Sequence, residues 1–347
     1  MKLYRSVLFA LLFFTVILTG GAQTIAQQNA MPFSVEPVYP DNQTPGIQGY
    51  FSLDVTPEDT QALRVNITNN REEEVVVNLR PANGYTNPRG GMLYETDLDS
   101  ENTVILSDEV KLAEHIHVVE SITIPARETE EVEIELNVPN REEGTLLGGI
   151  IFSSHGLTAE EEERMAQEDE EEASFSIRTE TAIAMAMQLN FPQSIEPQFS
   201  IGEAGFLPTE AQVYIEMLNE ADSIQDNFTG EYEVMNVDGD VLFAGEFGPF
   251  KMAPSTRIRY PIDWQAETLE PGDYSVRIAA DVNQEEIVEQ REFTIDDEEI
   301  QEYVERVMPD VAQPQQGMPA WAWALIGALT GVILVGIVFI WSRNRNT

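Results

Sequence analysis

Apolar and polar residues alternate with a period of two over most of this chain. "YFSLDV" (50–55), "QALRVNIT" (61–68), "EEVVVNLR" (73–80), "IHVVESITI" (116–124) and "EEVEIELNV" (130–138) are each strand-length and rich in β-branched residues. Pro, Gly, Asn and Asp clusters separate them at spacings suited to a sandwich of two sheets. "GGIIFSS" (148–154) and "SFSIRTETAIAMAMQLN" (174–190) read as a further pair, with the run "TAEEEERMAQEDEEEA" between them as a solvated loop or short exposed helix. A second set begins after "NFPQSIEPQ": 212–218, 229–237, 240–247, 256–264, 272–281 and 285–295. Asp238-Gly239 is the strongest short hairpin signal in the chain. The pattern predicts an all-β protein of two immunoglobulin-like β-sandwich domains, 31–190 and 195–297, joined by a linker near 191–197. Ile300, Val304 and Val307 then fall at i, i+4 and i+7 of a short amphipathic helix. With the Pro-rich stretch after it, this helix makes a stalk over 298–318.

The two ends break the alternation. Lys2 and Arg5 precede the apolar run "VLFALLFFTVIL" and then small residues, the order of a secretory signal peptide over 1–26, with Ala22 and Ala26 both fitting the cleavage site. From Trp321 to Trp341 no residue carries a charge, and at 1.5 Å per residue a helix there reaches ~31 Å, one bilayer core. Trp321, Trp323 and Trp341 mark its edges, and Arg343 and Arg345 place the tail 342–347 in the cytoplasm. The sequence thus predicts a single-pass cell-membrane protein with its β domains outside the cell.

Charge then narrows the partners. The formal net charge is −42, and all 61 acids lie between the two apolar ends. Such a surface repels nucleic acid and anionic headgroups, so its one contact with the membrane is its own helix. Three lysines against sixteen arginines fit adaptation to high salt, with a cationic partner as the alternative. There is no cysteine, so the outer domains must hold together by core packing alone. Surface proteins of this layout made by eukaryotes usually carry disulfides, which favours a bacterial surface.

Candidate chemistry gathers around "ANGYTNPRGGMLYE" (82–95), where Tyr85 and Tyr94 flank a turn-like stretch. A turn needs Gly, Asn or Pro but no aromatics. Rings beside a few placed amides suit a shallow glycan site, with Asn83 and Asn87 bonding hydroxyls or amides. Against that stands the plainer reading, in which Tyr94 pairs across strands and the Asn and Gly residues serve the turn. "PVYPDNQ", with Tyr39, Asn42 and Gln43, is a second candidate face. His115 and His117 lie two apart on a predicted strand, yet no third His or Cys is near enough to complete a zinc site. "DLDSE" (97–101) resembles a calcium loop but lacks its Gly and terminal acid. No cofactor is expected. Neither a Gly-x-Ser-x-Gly elbow, a phosphate loop nor a thiol is present, although a carboxylate pair for glycoside hydrolysis remains open.

"FSVEPVYPDNQ…GYFSLDVTPEDTQALRVNITNN" followed by "ANGYTNPRGGMLYE" resembles the opening domain of the WxL-interacting proteins of Gram-positive bacteria. Phe33, Pro40, Asn42, Gln43, Tyr50, Phe51, Asn69, Ala82, Thr86, Asn87, Gly91 and Tyr94 stand at matching places. "KMAPSTRIRYPIDW…LEPGDYSVRI" resembles that family's second domain more loosely, Thr256 following Ser255 where the family often has Asn before Ser. The resemblance implies a non-enzymatic surface adaptor. Its first domain is expected to bind peptidoglycan, and its second WxL-domain surface proteins or a host or matrix protein. The alternative is a cell-wall glycan hydrolase.

The charge carries a testable consequence. Salt should stabilise the segment 27–318, because screening relieves self-repulsion among its carboxylates. Its Tm is expected to rise between low and multimolar salt; equal melting at both would assign the acidity to a cationic partner instead.

Overall fold

The computed structural model describes residues 31–155, 180–196, 198–282 and 285–307. The predicted signal peptide, acidic run, proline-rich part of the stalk and membrane span lie outside them. Among the described residues no helix is long and apolar enough to cross a membrane. The chain falls into two compact units. The first is Met1–Ser200 with Leu218–Asp226 and Lys251–Ile258; the second is Ile201–Met217, Asn227–Phe250 and Arg259–Thr347. The two excursions of the first unit into later sequence cross the sequence-predicted boundary near 191–197.

In the first unit, β1 (Phe33–Val38), β3 (Thr60–Asn69), β9 (Thr129–Asn137) and β7 (Ile116–His117) form one sheet in the order β1-β3-β9-β7. A second sheet runs β2 (Phe51–Asp54), β11 (Thr181–Asn190), β10 (Thr145–Ser154), β4 (Val75–Thr86) and β5 (Met92–Glu95), with β8 (Ser121–Ile124) also on β4. Only β2 runs parallel to its neighbour in this sheet, pairing Phe51 with Met187 and Leu53 with Leu189. Alternation explains the layering. Leu63, Val65 and Ile67 of β3 and Val132, Ile134 and Leu136 of β9 meet Phe51, Leu53, Val75, Val77, Leu79, Phe152 and Met187 in one buried cluster. Gly148 and Gly149 let β10 lie close to its neighbours. A Cβ on Gly149 would stand 2.3 Å from the Met185 carbonyl, and one on Gly148 2.6 Å from that of Ala82. The short β6 (Thr103–Ile105) pairs with Thr256–Ile258, which open β16 (Thr256–Asp263).

The second unit draws on β12 (Phe199–Leu207), β13 (Gln212–Asn219) and β16, adjacent in that order. A further sheet has the order β15-β14-β17-β18, with β14 at Gln225–Asn236, β15 at Val241–Met252, β17 at Gly272–Val282 and β18 at Glu285–Ile295. Trp264 sits edge-on to Phe206, Phe243 and Tyr274 at 5.4–6.3 Å between centroids. The Asp238-Gly239 hairpin forms as its sequence requires. Gly239 takes φ +83°, and the Asn236 carboxamide oxygen accepts the Asp238 and Asp240 N–H groups. Helix α1 (Asp297–Val307) opens with Asp296 and Glu299 each accepting the other's backbone N–H at 2.9 Å.

Some sequence expectations shift. The run 116–124 divides into β7 and β8, and His115 lies in a 3-10 turn, Ala113–His115, so the two histidines do not share a strand. Strands β5, β6 and β12 have alternation too short or too glycine-rich to be read from sequence.

Two buried asparagines repeat one arrangement. Asn69 donates to the carbonyls of Glu73, Ile124 and Pro125 at 2.8–3.0 Å and accepts the Arg71 N–H at 2.8 Å. Asn219 donates to the carbonyls of Ser223 and Ala253 at 2.7 and 2.9 Å and accepts the Ala221 N–H at 3.4 Å. Replacing either by Ala leaves buried carbonyls unpaired, a loss of about 1–3 kcal/mol. Thermal melting should show Asn69→Ala and Asn219→Ala destabilised and Asn70→Ala, whose amide bonds Met31 near the surface, close to wild type. Equal melting of all three would remove the structural role given to the pair.

Candidate functional site

The segment 82–95 is not the open loop that its composition suggests. Strand β4 continues through Thr86, a turn follows at Asn87–Gly91, and β5 returns antiparallel with Tyr94 opposite Gly84. Gly90 and Gly91 take φ +98° and +86°, and Asn87 accepts the Arg89 N–H through its side chain, so these residues serve the turn. Period-two alternation sends Asn83 and Tyr85 to the opposite face from Gly84 and Tyr94.

Tyr85 is 3% exposed, its hydroxyl accepting the Leu98 N–H at 3.2 Å. Asn83 is 4% exposed and bridges the Thr96 carbonyl and the Ala113 N–H at 2.9 Å each. Both side chains are committed to the fold, which corrects the expectation that they face a ligand. The second candidate face is similarly engaged. The Tyr39 hydroxyl accepts the Gly49 N–H at 2.7 Å, although its ring is exposed. Asn42 and Gln61 exchange side-chain hydrogen bonds at 2.8 and 3.1 Å. Gln43 donates to the Ile47 and Tyr50 carbonyls and accepts the Ser52 N–H.

Tyr94 differs. Its phenol has no hydrogen-bond partner among the described residues, and burial, then the neighbouring Tyr50, push its pKa up to about 12. Between these two tyrosines the sheet face runs through Ser52 and Gln188, which pair, then Leu147, which pairs with Gln188 and leans over Gly84.

The same face ends in an open cleft of about 610 Å³ within the first unit. Tyr50, Gln188 and Asn190 line it with Thr145, Phe191 and Gln193. The Gln188 side-chain amide donates to Asn190 Oδ1 at 2.7 Å. The Asn190 amide lies 3.2–3.3 Å from the oxygens of Thr44, Ser52 and Asp54. Among the described residues, only Asp226 and Lys251 bring charge to the lining, and they pair with each other at 2.6 Å. Beside the cleft residue Phe191, Arg141 stacks at 5.6 Å and bonds Asp222 at 2.6 Å, anchoring the first unit's excursion at 218–226.

Residues 33–154 match the family described as WxL Interacting Protein, peptidoglycan binding domain, and residues 172–305 match WxL Interacting Protein, host binding domain. The chain belongs to the WxL-interacting proteins. No curated protein matches it. Loosely similar solved structures include the class 5 fimbriae chaperone CfaA, at 11% identity over 75% of this chain and 98% of that one, TM-score 0.30. Another is the CsuC-CsuE chaperone–tip adhesion subunit complex from Csu pili of Acinetobacter baumannii, at 11% identity, 76% and 99% coverage, TM-score 0.33. The E. coli chaperone DraB follows at 10% identity, 75% and 97% coverage, TM-score 0.31. At TM-scores this low the likeness carries no functional inference.

Within this WxL-interacting protein, β11 belongs to the second family match by sequence yet is a strand of the first unit's sheet. Sequence reasoning missed Gln188 and Asn190. In "MAMQLN" the alternation reads as a strand end and nothing more: Met185, Met187 and Leu189 supply the core and the amides fall at the positions between and after them.

The raised phenol pKa of Tyr94 favours its neutral form in the folded chain. That contribution is fully present below the unfolded value near 10 and is lost as pH rises through about 12. Tyrosinate absorbance should therefore include a late-ionising group that disappears in Tyr94→Phe. Tyr274, also raised by burial and then by Glu270, should persist in that variant. A Tyr94→Phe curve identical to wild type would contradict the burial of this phenol.

Proposed function

We propose that this chain is a membrane-anchored, non-enzymatic adaptor of the Gram-positive cell surface. In this reading the first domain holds peptidoglycan, and the second holds WxL-domain surface proteins or a host or matrix protein. The observation that carries it is the tandem of two binding-domain matches on one chain. The uncharged run 321–341 supports attachment through a helix with the β domains outside the cell. The charge of −42 fits a partner other than nucleic acid.

On the first domain, Tyr94 and the exposed ring of Tyr39 are the aromatic candidates for the wall. Asn87 at the turn and the amides of Asn42 and Gln43 contribute where their internal bonds leave capacity. Tyr85 and Asn83 act only by holding β4, so Tyr85→Ala is expected to lower Tm.

A sedimentation assay tests the adaptor reading. A WxL-domain protein should pellet with purified peptidoglycan in the presence of this chain and stay in solution without it. Release of soluble wall fragments that stops when one carboxylate is neutralised would instead establish the hydrolase.

A further inference from the structure

Among the described residues, the lining of the cleft beside β11 carries no net charge in a strongly acidic chain. The chain carries 61 acids and a net charge of −42, yet the only charged lining residues among those described, Asp226 and Lys251, neutralise each other at 2.6 Å. What remains is neutral, with polar side chains interleaved with the apolar Ile47, Phe191, Pro192, Ile195 and Ile224. Among the described residues, the Gln193 side chain has no hydrogen-bond partner and is exposed, and the Tyr50 hydroxyl has none either. Gln188 uses one N–H on Asn190, which leaves its carbonyl oxygen available. The hydroxyl of Ser223, a lining residue 7% exposed, is buried without a partner among the described residues. At about 610 Å³ the cleft falls in the ~300–1,000 Å³ range of small-ligand sites.

We propose that this cleft binds an uncharged N-acetylated sugar, the repeating chemistry of the wall's glycan strand, rather than the charged stem peptide. The inference rests on the wall-binding reading and deepens it. An acetamido group offers one N–H and one C=O, which the free amide of Gln193 and the carbonyl of Gln188 can each match. The Tyr50 ring supplies an apolar face for a pyranose, and its phenol a bond to a ring hydroxyl. A stem peptide would bring carboxylates into a strongly acidic chain whose one cation here is already paired, an arrangement that opposes it.

The test titrates the full chain with the N-acetylglucosamine tetramer, and separately with a synthetic stem pentapeptide, by ligand-observed NMR. Peptidoglycan sedimentation is run alongside. Tetramer binding is expected, weakened roughly two- to tenfold by Gln188→Ala and by Gln193→Ala, since each removes one hydrogen bond. Gln193 is exposed, so its variant should melt as wild type does and keep the comparison free of misfolding.

Two results would overturn the proposal while leaving wall binding intact. One is sedimentation with peptidoglycan when the tetramer does not bind. The other is tetramer binding that neither variant changes. Competition by the pentapeptide alone would transfer the site to peptide and likewise overturn it. Tetramer binding weakened by both variants in a chain that does not sediment with peptidoglycan would support the sugar site and refute the wall reading.

Discussion

Two side-chain hydrogen-bond ties take the place that disulfides often fill in small surface domains. Asn69 ends β3, in one sheet of the first sandwich, and bonds the carbonyl of Ile124, which ends β8 in the other. Asn219 ends β13 and bonds the carbonyl of Ala253, just past β15, again crossing between sheets. In each case the same asparagine also caps its own turn, accepting the N–H two residues on and donating to the carbonyl four residues on. Asparagine alone has both an acceptor and a two-proton donor on a side chain this short. Aspartate would place a charge beside two carbonyls, and serine would not reach them all. In a chain without cysteine these ties fix how the sheets close, and the closure sets which residues reach the free face.

The strand at the centre of that face works by absence. Gly148 and Gly149 leave β10 no side chain where the carbonyls of Ala82 and Met185 approach, so β4 and β11 can flank it closely. Gly84 likewise leaves its space to Leu147. On the same face Gln188 of β11 and Tyr94 of β5 flank β10 and β4 from opposite sides.

Most of the strand order was legible in the sequence because one face of each strand is buried, and burial imposes the period of two. The end of β4 was not. Pro81 lacks an N–H, and a proline inside a strand reads as its terminus. Here it falls in a gap. β8 pairs with β4 only through Asn78 and β5 only from Asn83, and the Pro81 carbonyl on that side takes the Thr96 hydroxyl. No ladder bond is lost, so the strand continues. Once it does, alternation sends Tyr85 inward and Tyr94 to the other face, a difference that a loop reading cannot make. The amides of β11 were hidden for another reason, since "QLN" has no local signal that distinguishes a cleft wall from a strand end.

The acidity follows from the same alternation. On β9, Val132, Ile134 and Leu136 point inward, so Glu131, Glu133 and Glu135 must point out. The arginine opposite, Arg64, makes an exposed pair with Glu131 at 3.4 Å, and such pairs are worth ~0–1 kcal/mol. The carboxylates therefore do little to hold the sandwich, which leaves them free to decide what approaches it. A surface that repels anions across most of its area, with a neutral cleft at one sheet end, favours ligands that carry no charge. In the proposed reading the wall's sugar backbone is such a ligand, and the Gln188 carbonyl and the Gln193 amide are the groups that meet its acetamido N–H and C=O.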